Sequence, residues 1–397
     1  KTITNDKKEG LDLDPWVQWV SMHTGTVSKK HKVFRTGQSL KKEVSQIWET
    51  LANRGIKSSL WGLFNAVLRN KKNIDLFYPD PWNFTQKAHP KKFNSYLKLP
   101  RYYALNYPNI RIIKIIFFGL MFFKKILLIK DIKYFLKKIL NFTYIFLFSR
   151  FASFNLYFIL DIVSLLIVKD HLSKKKSDLT IIALNSLAHF QHNFWDKKKY
   201  EKFYFWYLNE IINLLSIISK NFEKQICLNG FSQKKIKNIY YLRIKDNNKF
   251  LKILDIKCKK YKSNMTTGAT IFFKDMSEKR QAILKLNNVS IFNKKVFEVY
   301  DFHNENKIFY KFNIFFTKPL KIISSKKDGN FIKQSNILKL KKNNNDKSIF
   351  DMIMNNINLL KSTSSHLPSG ILYSTSNLNI KKKYFFKNKI KNEKLFD

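Results

Sequence analysis

The chain has 397 residues, enough for one large α/β domain with insertions or for two ordinary domains. Hydrophobic residues at 45% and aromatics at 16% exclude an intrinsically disordered chain, because that much apolar surface can offset the entropy of ordering the backbone. Two cysteines, Cys227 and Cys258, exclude a disulfide scaffold and an all-cysteine zinc site, and fit a reducing compartment.

The formal net charge of +46 would ordinarily point to a polyanion. Yet only eight of the 74 basic residues are arginine, the side chain that nucleic-acid readers use for bidentate base and phosphate contacts. The lysines accompany abundant Asn, Ile and Phe along the whole chain, which reads as compositional bias. No specific nucleic-acid partner is expected, although the charge suits an anionic substrate or surface. The sequence opens on Lys1, so a preceding segment, either a signal peptide or the first strand of a sheet, is expected to be missing.

In chain order, residues 1–10 are polar and are expected to fray. Residues 40–53 carry Val44, Ile47, Trp48 and Leu51 at helical spacing, with Gly55 as the stop, and 56–64 reads as a buried strand with its turn. Pro79, Pro81, Pro90 and Pro100 predict an extended loop over 78–100. Residues 110–170 are the most apolar region, but their charge-free runs (115–123, 139–149 and 151–160) fall short of the roughly 18 residues a membrane span needs. Lys124, Lys125, Lys130, Lys133, Lys137 and Lys138 interrupt them. The region reads as amphipathic helices of a cap or insertion, or else as a basic, aromatic-rich hairpin making peripheral contact with anionic lipid.

Residues 179–184 form a short apolar strand ending in a polar cluster at 185–192. A helix over 200–221 and a strand over 225–228 follow, the latter ending at Asn229-Gly230, and 240–300 reads as a smaller α/β portion. The tail from about 325 is rich in Lys, Asn and Ser, and no internal repeat is present. The expected organisation is an N-terminal part of an α/β core at 1–104 and a helical insertion at 105–175. The core continues over 176–325, and a tail at 326–397 carries a last core motif at 364–375.

Three places put polar groups where strands end, which is where α/β folds build sites. The first is Trp16-Val17-Gln18-Trp19-Val20-Ser21-Met22-His23-Thr24-Gly25 followed by His31, which reads alternatively as a helix with core tryptophans. The second is Asn185-Ser186-Leu187-Ala188-His189-Phe190-Gln191-His192-Asn193-Phe194-Trp195. There His189 and His192, three apart, and Asn185, four before His189, would share one face of a helix and could converge on one ion. The third is Ser364-Ser365-His366-Leu367-Pro368-Ser369-Gly370-Ile371-Leu372, which sets an imidazole on a loop beside a sheet.

Together these stretches resemble the phosphodiesterase and nucleotide-pyrophosphatase branch of the alkaline phosphatase superfamily. The 17–25 stretch with His31 is similar to that family's nucleophile region. The 47–64 unit, with Leu51-Ala52-Asn53-Arg54-Gly55, resembles its next helix and strand, and Pro79-Asp80-Pro81-Trp82 resembles a loop of its relatives. Asn185 and His189 match an Asp-x-x-x-His metal pair with Asn for Asp. Asn229-Gly230-Phe231 stands where the family has Asp-His-Gly, and the stretch from His366 to Ile371 matches its last His and Gly-Ile turn. The resemblance spans about 15–375 and implies a three-layer α/β/α fold with a mixed central sheet and a helical insertion.

It also implies hydrolysis of phosphate or sulfate esters at a metal site. The nucleophile position falls near Pro15, which is neither Thr nor Ser, and both later carboxylates are replaced by Asn185 and Asn229. The implied site is therefore reduced. His189, His192 and His366 would hold one divalent ion (zinc, manganese or iron), and Gln18, Asn185 and Asn229 would bind an anionic small molecule or glycan ester. A catalytically inactive relative that binds an anionic ligand is the alternative, and a basic nucleic-acid or membrane-surface protein the second. A cytoplasmic or peripheral-membrane location is expected.

Overall fold

Helices and strands mix along the chain and the strands pair into several small sheets, an α/β arrangement. The computed structural model describes residues 2–4, 13–106, 111, 113–114, 117–120, 132–150, 153–229, 231–263, 267–291, 294–303, 305–313, 315–316, 356–375, 385–386 and 389–391. Expectations that fall on 5–12, on Gly230, on parts of 105–175 and on most of the tail lie outside the described residues. The chain divides into two units, Lys1–Lys235 with Ser364–Asp397, and Ile236–Thr363.

The first unit opens with β1 (Thr2–Ile3), paired with Ser369–Gly370 on one side and Lys389–Lys391 on the other. Thr2 is buried, so residues 2–4 are not frayed: strand pairing satisfies their backbone despite their polarity. Helix α1 (Pro15–Thr24) starts on a proline whose missing N–H costs nothing there, and it buries Trp16, Val17, Val20 and Met22. After the short α2 (Ser28–His31), α3 (Ile47–Ala52) begins later than its apolar spacing predicts. The reason is Gln46, which forms a capping box with Glu49 while its side-chain amide pairs with the Val67 backbone.

Strand β2 (Ser58–Trp61) is fully buried and is the middle strand of a parallel sheet. Its neighbours are β3 (Ile74–Tyr78), which the sequence pattern did not flag, and later β4. Gly62 ends β2 at φ 72°, where a Cβ would sit 3.0 Å from the Ala183 carbonyl oxygen. The expected loop over 78–100 gives way at its end to α4 (Asn94–Asn106), which tolerates Pro100 inside it. An interior proline costs about 3 kcal/mol, and burial of Leu97, Leu99 and Ala104 offsets it.

Helix α5 (Ile132–Phe148) buries Phe142 and Ile145. Helix α6 (Phe154–Lys174) is buried on nearly every side, with Phe154, Phe158, Ile162, Leu165, Leu166 and Val168 fully enclosed. It forms the spine of the largest core cluster. Strand β4 (Leu179–Ile182) leads into α7 (Ser186–Phe194), and α8 (Glu201–Ser219) packs along α6, with the Phe158 and Tyr207 rings stacked at 4.7 Å. Strand β5 (Ile226–Leu228) then precedes the long β6 (Ser232–Ile244), which runs on into the second unit.

The second unit holds α9 (Asn247–Ile253), β7 (Lys260–Ser263), β8 (Ala269–Phe272), α10 (Met276–Asn288), and a two-strand ribbon of β9 (Ser290–Ile291) and β10 (Lys294–Lys295). Strands β11 (Phe297–Asp301) and β12 (Lys307–Phe312) complete an antiparallel sheet ordered β11-β12-β8-β7 over its own core. From α10, the Lys279 ammonium is buried against the Phe302 and Glu305 carbonyls, each at 2.9 Å, and Asp301 at 2.5 Å. Strand β13 (Phe315–Phe316) pairs with β6, which also borders β14 (Ile357–Leu367).

Strand β14 carries the chain back into the first unit, where β15 (Ser369–Gly370) pairs with β1 and β16 (Leu372–Ser374) with β5. A last hairpin joins β17 (Phe385–Phe386) to β18 (Lys389–Lys391). Among the described residues no helix is long and apolar enough to cross a membrane.

Candidate functional site

Helix α7 starts where β4 ends, and its first turn is held by a group outside the expected set. The Asp161 carboxylate on α6 accepts the Ser186 backbone N–H at 3.0 Å, an anion at a helix N-terminus. Burial pushes that carboxyl up to about 6. Inward packing of Ser186 and Phe190 fixes the rotation of α7 about its axis. His189 then lies flat against Tyr157, with ring centroids 3.9 Å apart, and its Nε2 accepts from the Asn185 amide at 3.2 Å. Burial lowers the His189 imidazole to about 4, so it is neutral at physiological pH.

His192, one helical step further on, meets side chains that arrive on two strands. Gln233 comes from the start of β6, and Ser364 and His366 from the end of β14; all four belong to the first unit. Ser364 Oγ donates to Gln233 Oε1 at 2.6 Å and lies 3.0 Å from His192 Nδ1. Since the hydroxyl proton goes to Gln233, Ser364 accepts from His192 Nδ1–H. The Gln233 amide then donates to His192 Nε2 at 3.2 Å, closing a three-residue ring of hydrogen bonds. His366 Nε2 also lies 3.2 Å from His192 Nε2, and Phe231 packs edge-on against its ring at 4.6 Å.

Burial, followed by repulsion from His366 and His189, lowers His192 to about 3. Its Nε2 thus carries no proton and accepts from the Gln233 amide, with His366 Nε2 beside it. Two nitrogens bound to one tetrahedral zinc at about 2.0–2.1 Å are separated by about 3.3 Å, close to the 3.2 Å seen here. The pair can act as two arms of a cation site once the Gln233 amide turns away from His192 Nε2 and His366 carries its proton on Nδ1.

The sequence-derived candidates distribute unevenly. His192 and His366 converge. His189 lies three residues along α7 from His192 and is close enough to disfavour its charging, but its own Nε2 is turned to Asn185. His366 sits within β14 rather than on a loop, because strand pairing continues through Leu367. Asn229 follows β5 with its side chain engaged: Oδ1 accepts from Ile371 N–H at 2.5 Å, while its backbone carbonyl accepts from Thr2 Oγ1 at 2.8 Å. A Cβ on Gly370 would fall 1.9 Å from that carbonyl oxygen, so this approach requires glycine. Gln18 is fully buried on α1, a separate helix.

The first stretch is the helix of the alternative reading, and His31 and Ser21 are engaged with each other. His31 Nδ1 accepts from Val33 N–H at 3.0 Å, so its Nε2–H donates to Ser21 Oγ and cannot serve that hydroxyl as a base. His23 is lowered to about 3, mainly by burial. Among the described residues, no group of three or more His, Cys, Asp and Glu is placed to hold a metal ion.

Gln233, Tyr157 and Asp161 were missed in the sequence. Asp161 left a signal, a lone carboxylate in an apolar run; Gln233 left none, since only strand pairing brings it to His192. Comparison with protein-family models, with curated proteins and with solved structures finds no match to this chain.

Proposed function

We propose that the chain is a hydrolase-like protein of the alkaline phosphatase superfamily, phosphodiesterase type, acting on phosphate or sulfate esters with a reduced metal site. The observation that carries the reading is the 3.2 Å approach of His192 and His366 Nε2, one on the helix after β4 and one near the C-terminus, the chain order in which the family supplies its ligands. The three-layer α/β/α fold with a mixed central sheet belongs to the same reading. The parallel β3-β2-β4 sheet would be part of that central sheet.

On this reading the donor set would serve one cation rather than two. The His192 and His366 nitrogens stand at chelating separation, but Asn185 and Asn229 offer amides where a second ion would need carboxylates. His192 and His366 would hold the ion, which when bound supplies Lewis-acid polarisation of the ester oxygen. Ser364 and Gln233 hold the His192 tautomer, and the Asn185 amide, at the mouth of α7, offers hydrogen bonds to an anionic ester. The lysine excess raises the local concentration of that substrate.

The test is cleavage of bis(4-nitrophenyl) phosphate and 4-nitrophenyl sulfate by the full chain supplied with zinc, manganese or iron. Turnover of either ester that His366→Ala abolishes supports the reading, and absence of turnover with every metal overturns it. A second reading, an inactive protein binding an anionic ligand, is favoured by one observation: the Asn229 side chain is occupied by Ile371. Binding of inorganic phosphate or sulfate without turnover is its expected result.

A further inference from the structure

We propose that the outward face of α5 docks on an anionic lipid bilayer, lying in the plane of the interface. The helix is two-faced. Its inner side buries Phe142 and Ile145 in the core, and Tyr134 and Lys138 both engage Glu210 on α8, the lysine at 2.6 Å. Its outer side carries Leu136 at 48%, Leu140 at 79% and Leu147 at 57% exposure. At 3.6 residues per turn these three leucines fall within about 40° of one another. Tyr144 and Phe148, 48% and 62% exposed with their rings 4.2 Å apart, widen the same face.

A face of this kind in water is costly unless something covers it. The charges nearby identify the occupant. Lys133 and Lys137 are exposed on the same side, and α5 contains no acidic residue. A stripe of leucines and aromatics with lysines at its N-terminal end matches acyl chains along the stripe and anionic headgroups at that end. A second copy of this chain would bring the same lysines and a net charge of +46 against them, so self-association is disfavoured. Crossing the bilayer is not required, and the 17-residue α5 is not long and apolar enough to do so.

The experiment is co-sedimentation of the full chain with vesicles of phosphatidylcholine alone and of phosphatidylcholine mixed with phosphatidylglycerol, across a salt series. The wild type should partition to the anionic vesicles. Leu136→Ser, Leu140→Ser and Leu147→Ser together should lower that partitioning by at least about tenfold, because the apolar contribution is removed while the charge is kept. Equal partitioning of the triple variant and the wild type overturns the proposal, since binding would then rest on the lysines at large. No vesicle binding overturns it too, as does a wild-type dimer that the triple variant converts to monomer. A Leu140→Cys variant in a Cys227→Ser, Cys258→Ser background, carrying an environment-sensitive dye, keeps the helix otherwise intact. A blue shift with anionic vesicles is expected, and an unshifted spectrum on vesicles that bind the protein overturns the proposal.

Discussion

Replacing Ser364 by alanine removes the one hydroxyl that joins His192 to Gln233. The buried oxygen accepts from His192 Nδ1 at 3.0 Å and donates to Gln233 Oε1 at 2.6 Å, so Ser364→Ala strands a donor and an acceptor together. Leaving buried polar groups unpaired costs about 1–3 kcal/mol of stability. The second effect is electronic. Without Ser364 the Nδ1–H of His192 has no acceptor and the Gln233 amide loses the partner that fixes which of its atoms faces Nε2, so the Nδ1–H tautomer is no longer enforced. Loss of such an orienting partner lowers cation affinity about 10–100-fold. The assay is a chelator-competition titration with zinc, beside nitrogen-15 imidazole spectra that read the tautomer directly. Ser364→Thr keeps the hydroxyl and should restore both readouts. An Ser364→Ala protein that keeps wild-type zinc affinity and the Nδ1–H tautomer would refute the hydrogen-bond ring as the device that aims His192.

Stability should fall as the pH drops below the ordinary histidine value of 6.5. His192 and His23 are held near 3 and His189 near 4, so the unfolded chain takes up protons that the folded one refuses. Urea midpoints at stepped pH check this, and His23→Gln should flatten the slope between 6.5 and about 3. Asp161 acts with the opposite sign. Its carboxyl is raised from 3.8 to about 6, so its contribution is complete below 3.8 and lost as the pH rises through 6, by up to about 3 kcal/mol. In Asp161→Asn that component of the pH dependence should vanish. Phe158→Ala, at the centre of the aromatic core, should cost about 3–5 kcal/mol in urea unfolding, whereas Leu140→Ser on the exposed face of α5 should stay within about 0.5 kcal/mol.

Local patterns carried part of this structure and long-range pairing carried the rest. The buried run at Ser58–Trp61, the strand at Leu179–Ile182 and the long helix at Glu201–Ser219 were all legible, because each has a continuous apolar run or a helical period of its own. Strand β3 was not, since Asp75 interrupts its apolar run and Asn73 with two lysines precedes it. Pro100 misdirected the reading of 94–106: core burial of Leu97 and Leu99 outweighed a local penalty that sequence rules weigh alone. At the candidate site, the three-residue spacing of His189 and His192 showed that they share a helix. It could not show that Tyr157 and Asn185 hold one ring while Gln233, at the start of β6, and His366, near the end of β14, claim the other. Ser364 was in view beside His366, but its role depends on a hydrogen bond 172 residues back along the chain.

The most direct test of the account is the bound-metal content of the purified chain by elemental analysis, with His192→Ala and His366→Ala beside the wild type. Near one equivalent of zinc, manganese or iron is expected in the wild type and its loss in both variants, with Gln18→Ala unchanged because Gln18 sits on a different helix. Wild-type protein that takes up no metal even when supplied with all three, or variants that retain it, would contradict the claim that His192 and His366 form a cation site.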